Sequence, residues 1–292
     1  MASFGGETLF RKDVEQITGF LDMRKYGSRK QLPPRAIRPL AMIPLLIFFY
    51  IIGSGPSFSW AEELYVFAGA GLRQPLDEII HVFEQETGHR ILVDYGGSGQ
   101  LYSKILISRQ GDLFIPGAFF YIEELSKTGL IHSYKPVVAH TPVVAVHKSK
   151  KDMIQSFEDL AKSGNRLAMG DPKAMAFGRI AEIIMERSGR GQAIRKNIVV
   201  RGATVKQLAL YVAEGMVDAA IIGRADWYQF QDRLEMITIP KAFYDEEVIA
   251  VAVLKKQVIK TSASSLQDII HSKRGINTFI RFGFLPLPGE GE

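Results

Sequence analysis

From Leu64 onward, short apolar runs and segments of helical spacing take turns almost to the end of the chain. "ELYVFAGA", "HRILVDY" and "GDLFIPG" read as strands. Between the first two lies "LRQPLDEIIHVFEQETG", a helix with Leu76, Ile79, Ile80 and Phe83 on one face and Gly88 at its end. "LYSKILIS" and "FFYIEELSKTG" are the next helices, the second stopped by Gly129. The pattern then repeats. "TPVVAVHK", "NRLAMG", "IVVRG", "DAAIIG", "EMITIP" and "EVIAVAVLKK" read as strands. "SFEDLAKSG", "GRIAEIIMERSG" and "TVKQLALYVAEG" read as helices. Ser156 and Asp159 come close to a capping box, and Thr204 caps the last of these helices. "SLQDIIHSKRGINTFIRFGF" closes the chain as helical structure. Alternation of this kind builds α/β architecture with largely parallel sheets.

In α/β sheets, ligands bind beyond the carboxyl ends of the strands. Four strand-to-helix junctions here carry small residues: "AGAGLRQ" (68–74), "YGGSGQL" (95–101), "GDPKAMAFG" (170–178) and "RGATVKQ" (201–207). A fifth, "IIGRADW" (221–227), follows a buried strand. Helix starts offer unpaired N–H donors with partial positive charge, so several aimed at one point make an anion pocket without a charged side chain. "YGGSGQL" reads either as such a wall or as a tight turn in which glycine supplies positive φ. It is no P-loop, because the Gly-Lys-[Ser/Thr] ending is absent, and "GAGLRQ" lacks the third glycine of a dinucleotide fingerprint. In "GDP", Asp171 is expected to cap a helix start with Pro172 in the first turn. "YDEE" (244–247) reads as an acidic surface near a hinge.

Other chemistries find little support. The chain has no cysteine, which removes disulfides, thiolate metal sites and a cysteine nucleophile. Its six histidines are scattered without metal-ligand spacing. No Ser/His/Asp order or carboxylate pair reads as catalytic, so no enzyme, cofactor or metal site is expected. Of the net charge of +5, residues 1–38 carry four units, leaving the body nearly neutral and without a case for nucleic acid. Residues 1–38 are a basic N-terminal extension of unknown role. Residues 39–61 have the order of a secretory signal: Arg35 and Arg38 flank an apolar run from Leu40 to Ile52, and Ser59 and Ala61 suit a cut after Ala61. The alternative for this segment is an uncleaved membrane anchor.

The order of "YVFAGAGL", "FEQETGHRILVDYGGSGQL", "GDLFIPGAFFYIEELSKTGLI", "RLAMGDPKAMAFGRIAEIIME" and "YVAEGMVDAAIIGRAD" resembles the periplasmic molybdate-binding proteins. The resemblance spans residues 62–286. It implies a type II periplasmic-binding-protein fold: two α/β lobes joined by crossover strands, with a ligand cleft between them. Lobe one would be residues 62–139 plus 250–292, and lobe two residues 140–249. The crossings would fall near "VVAHTPVVAV" and "YDEEVIAVAV". The implied function is that of a monomeric extracytoplasmic receptor in the periplasm. It would bind a tetrahedral oxyanion, molybdate or tungstate first and sulfate next, and deliver it to an ABC-type membrane permease. The alternatives are a membrane-tethered oxyanion sensor and a nucleotide-dependent α/β enzyme.

Carried over position by position, the resemblance places ligand contacts at Gly71, Ser98, Ala176, Phe177, Val205 and Gly223. Ser98 retains a hydroxyl. Gly71 and Gly223 stand where the family usually has hydroxyl side chains, so two donors are missing. Arg224 is the first candidate to replace them, with Arg73, Arg179, Thr204 and Tyr228 as others.

Overall fold

A computed structural model describes residues 61–289 of the chain. The expectations for residues 1–38 and for the signal or anchor segment 39–61 fall outside that range, Ala61 apart. Among the described residues no helix is long and apolar enough to cross a membrane.

The chain begins with β1 (Glu63–Gly69), a 3-10 turn (Ala70–Leu72) and α1 (Arg73–Thr87). Helix α1 buries Leu76, Ile79, Ile80 and Phe83, as its spacing predicts. It ends at Gly88, whose φ of 72° is the left-handed cap that glycine adopts without strain, and the Gly88 N–H donates to the Glu84 carbonyl. There follow β2 (Arg90–Gly96), α2 (Ser98–Ser108), β3 (Leu113–Ile115), α3 (Phe120–Lys127) and β4 (Ile131–Ala139). The second half runs β5 (Pro142–His147), β6 (Leu167–Gly170), α4 (Ala176–Arg187), α5 (Gly191–Lys196) and β7 (Ile198–Gly202). It continues with α6 (Val205–Ala213), β8 (Ala219–Gly223), α7 (Arg224–Tyr228) and β9 (Leu234–Thr238). The chain then returns through β10 (Val248–Leu254) and ends in α8 (Thr261–His271) and α9 (Lys273–Arg281).

These strands form two five-stranded sheets, ordered β2-β1-β3-β10-β4 and β7-β6-β8-β5-β9. Each is the centre of one α/β lobe. Phe67, Phe114, Leu101 and Ile105 are buried in the first lobe, and Phe157, Phe177, Leu208 and Ile184 in the second. Full burial of each such side chain contributes about 1.5–3 kcal/mol. The two-lobed architecture expected from the motif order is present.

The expectation of largely parallel sheets needs correction. β1 pairs in parallel with β2 and β3, and β6 with β7 and β8. β10 runs antiparallel to β3 and β4, and β5 antiparallel to β8 and β9. The antiparallel members flank the two chain crossings between lobes, through His140–Thr141 and through residues 239–247. A strand that arrives from the other lobe enters the sheet against the direction of the local βα units. The two crossings are tied together where the His140 N–H donates to the Glu247 carbonyl at 2.7 Å.

One strand appears that the sequence reading did not name, and two local readings change. β4 holds Pro136 in a strand, which its position at the sheet edge permits. "SFEDLAKSG" is a 3-10 helix over Phe157–Ala161, and the Asp159 carboxylate accepts from the N–H groups of Gln155 and Ser156. The terminal helix breaks at Ser272, whose backbone is extended and whose hydroxyl accepts from the Gly275 N–H to start α9.

Candidate functional site

The turns that follow β1, β2, β6 and β7 meet at a cavity between the lobes. It is lined by Gly69–Leu72, Gly96–Ser98 and Gly117 from lobe one and by Met175–Phe177 and Thr204–Val205 from lobe two, with His140 of the crossing between them. Its empty space, counted out to the open mouth, is about 310 Å³. Helices α2, α4 and α6 begin at this wall, and α1 begins one 3-10 turn away. At each start the first N–H groups have no partner within their own helix, and the helix end carries roughly half a positive charge. Among the described residues, no Lys or Arg lines the cavity.

Ser98 is the first residue of α2 and is 3% exposed. Its Oγ accepts from the Gly117 N–H at 2.9 Å. A hydroxyl has one proton to give, so that acceptor bond fixes the oxygen and leaves the proton free to donate into the cavity. On the opposite wall, Thr204 caps α6 as its sequence predicts, its Oγ1 accepting from the Gln207 N–H at 3.3 Å. Asp171 does not cap α4. Its carboxylate accepts from the Lys173 N–H at 2.8 Å and shapes the turn before Met175, after which the helix begins.

The stretch "YGGSGQL" touches the other lobe directly. The N–H groups of Gly99 and Gln100 donate to the Ala174 carbonyl at 2.9 and 3.2 Å. A β-carbon on Gly97 would overlap the carbonyl oxygens of Ala174 and Ala203, and one on Gly99 would overlap that of Lys173. The structure is therefore the closed arrangement of the cleft. Gly97 itself has φ −69° and ψ 134°, which any residue adopts, so positive φ is not the reason for glycine there.

Of the seven positions expected to contact ligand, the structure brings Gly71, Ser98, Ala176, Phe177 and Val205 together around the cavity. Gly223 lies behind His140, where a β-carbon would overlap the imidazole. Arg224 turns away: its guanidinium donates to the Gly283 carbonyl at 2.5 Å. The other candidate arginines also have partners. Arg73 stacks on the Tyr95 ring, 4.1 Å from its centre. Arg179 stacks on Phe120 at 4.1 Å and lies 3.5 Å from Glu247. Lys206, at the start of α6, donates to Gln229; burial lowers its pKa, opposed by Asp226 and reinforced by Arg73.

Glu247 corrects the reading of "YDEE" as a surface patch. Burial raises its carboxyl above the ordinary range, while Arg179 and His140 pull it back. It sits at the crossing and joins α4 to the hinge. The sequence reading missed His140 and Asp226, both almost wholly buried beside the cavity. A signal existed for the first: a histidine inside the apolar crossing "VVAHTPVVAV" is a polar group in a buried run. Among the described residues, no three His, Asp or Glu side chains come together in a way that could hold a metal ion.

Residues 64–285 match the family of bacterial extracellular solute-binding proteins. A binding protein of Haemophilus influenzae is 42% identical over 226 residues, covering 77% of this chain and 92% of that one. The periplasmic molybdate-binding protein of Azotobacter vinelandii superposes with a TM-score of 0.67 at 19% identity, over 76% of this chain and 98% of that one. The sulfate-binding protein SubI of Mycobacterium tuberculosis also gives a TM-score of 0.67, at 14% identity, over 78% of this chain and 88% of that one. At such identities the two structures share the fold with this chain.

Proposed function

This chain belongs to the bacterial extracellular solute-binding proteins, and on that premise we propose that it captures a compact tetrahedral oxyanion in the cleft. The observation that carries this reading is the donor set. Helix starts from both lobes and the free proton of Ser98 converge on one cavity that, among the described residues, has no Lys or Arg in its lining. Neutral donors of this kind hold a small anion by many directed N–H and O–H bonds. Molybdate and tungstate are the anions the motif order implies, with sulfate next. Gly71, Ala176, Phe177 and Val205 would contribute through their backbones.

An anion bridging the lobes binds the closed form better than the open one, and that differential affinity drives closure. The closed receptor in the periplasm then offers its surface to an ABC-type permease. A sensor reading would need the segment 39–61 to remain as an anchor, which N-terminal sequencing of the exported protein decides.

Titration calorimetry with molybdate, tungstate, sulfate and phosphate tests the reading. At least one anion is expected to bind with one-to-one stoichiometry. Ser98→Ala should weaken that binding about ten- to hundredfold, because a buried charge loses a donor. Unchanged affinity in this variant would remove the hydroxyl from the site.

A further inference from the structure

Among the described residues, three polar atoms beside the cavity have no hydrogen-bond partner: His140 Nε2 and both carboxylate oxygens of Asp226. The residues are 2% and 1% exposed. Gly71 and Gly223 show where these atoms sit. A β-carbon on Gly71, which lines the cavity, would stand 2.7 Å from Asp226 Oδ1. One on Gly223 would stand 2.8 Å from Asp226 Oδ2 and would overlap His140 Nε2. The two glycines therefore do not leave gaps in the wall. The space their side chains would fill is taken by an imidazole and a carboxylate.

The hydrogen-bond roles of this pair can be worked out. His140 Nδ1 lies 3.2 Å from the Gly117 carbonyl, which can only accept, so Nδ1 carries a proton. In the neutral ring Nε2 is then an acceptor. It faces Asp226 Oδ2 at 3.8 Å, beyond hydrogen-bond distance. A second proton on the ring would ease that contact, yet Oδ1 on the Gly71 side would still lack a donor. The nearby cations do not supply one, since Lys206 donates to Gln229, Arg73 stacks on Tyr95 and Arg179 faces Glu247. A buried acceptor without a donor is costly, and this one lies against Gly71, a residue of the cavity wall.

We propose that the cleft selects a tetrahedral oxyanion that brings its own proton, of the phosphate or arsenate type, and that Asp226 accepts that proton. The proposal rests on the oxyanion reading above. Helix starts and Ser98 would hold the unprotonated oxygens, while the protonated one points at Asp226. Near neutral pH phosphate and arsenate carry at least one proton, whereas sulfate, molybdate and tungstate carry none. An ionised Asp226 would set its carboxylate against a bare oxygen of the latter, a repulsion that discriminates without any change of shape. The condition is one that molybdate and tungstate do not meet.

Titration calorimetry of the purified protein at pH 7.5 decides this. Phosphate, arsenate, glycerol 3-phosphate, sulfate and molybdate are compared. Phosphate should bind at least tenfold tighter than sulfate, molybdate and glycerol 3-phosphate, the last because an ester's phosphoryl group has lost its remaining proton at this pH. Asp226→Asn replaces an acceptor by a donor, so it should weaken phosphate at least tenfold and strengthen sulfate or molybdate. Sulfate or molybdate binding as tightly as phosphate in the unaltered protein overturns the proposal, whether or not the variant folds. Binding of none of the five would instead remove the oxyanion reading beneath it.

Discussion

Gly97→Val will weaken anion binding at least a hundredfold while leaving the melting temperature of the ligand-free protein within about 2 °C of the original. A β-carbon at residue 97 would overlap two backbone carbonyl oxygens, those of Ala174 and Ala203, on the opposite lobe. Main-chain atoms at the ends of β6 and β7 have no rotamer by which to yield. The conflict is relieved by keeping the lobes apart. Because φ and ψ at Gly97 suit any residue, valine does not strain lobe one itself. What is lost is closure, and with it the lobe-two donors at Ala176, Phe177 and Val205. A hundredfold loss corresponds to ~2.7 kcal/mol, a modest share of what half a donor set contributes. Small-angle scattering should show that anion no longer shrinks the variant. A compact, tightly binding variant would mean that the contact between Gly97 and lobe two is not needed for binding.

Gly178→Val will destabilise the protein by about 3 kcal/mol or more and lower its melting temperature by ~10 °C. Helix propensity alone argues the other way, since glycine inside a helix costs about 1 kcal/mol relative to alanine. Packing outweighs it. A β-carbon on Gly178 would overlap the Asp171 carbonyl, and one on Gly170 would lie 2.6 Å from the Gly178 α-carbon. The end of β6 and the first turn of α4 therefore touch backbone to backbone. This close approach sets the height of α4 against the sheet, and so places the Ala176 and Phe177 N–H groups at the cavity. Thermal unfolding followed by circular dichroism checks the prediction. An unchanged midpoint would show that the junction tolerates a side chain.

The alternation of apolar runs and helical spacing was enough to expect α/β architecture, because both periods act locally, whereas the two lobes were implied only by the resemblance in motif order. The directions of β5 and β10 were not legible, since they depend on which lobe the chain enters from. The same limit applies to the site. Ser98 stood out through its glycine neighbours, and the structure places it at the cavity. The glycines themselves were read as turn formers or anion-facing donors, yet Gly97 and Gly99 answer to carbonyls more than 70 residues away. Gly71 and Gly223 read as lost hydroxyls. Their β-carbon positions are instead blocked by Asp226 and His140, a pair that only tertiary contact brings together. Arg224, the expected replacement donor, is held by Gly283. Long-range approach decided each of these positions, and periodicity carries no information about it.

The central claim is that a single oxyanion lies between the lobes and is held by donors from both. A crystal structure of the protein grown with its tightest-binding anion tests this most directly. The account predicts density for one tetrahedral anion within hydrogen-bond distance of Ser98 Oγ on one side and of the N–H groups at Ala176, Phe177 or Val205 on the other. An anion bound elsewhere, or touching one lobe alone, would contradict it.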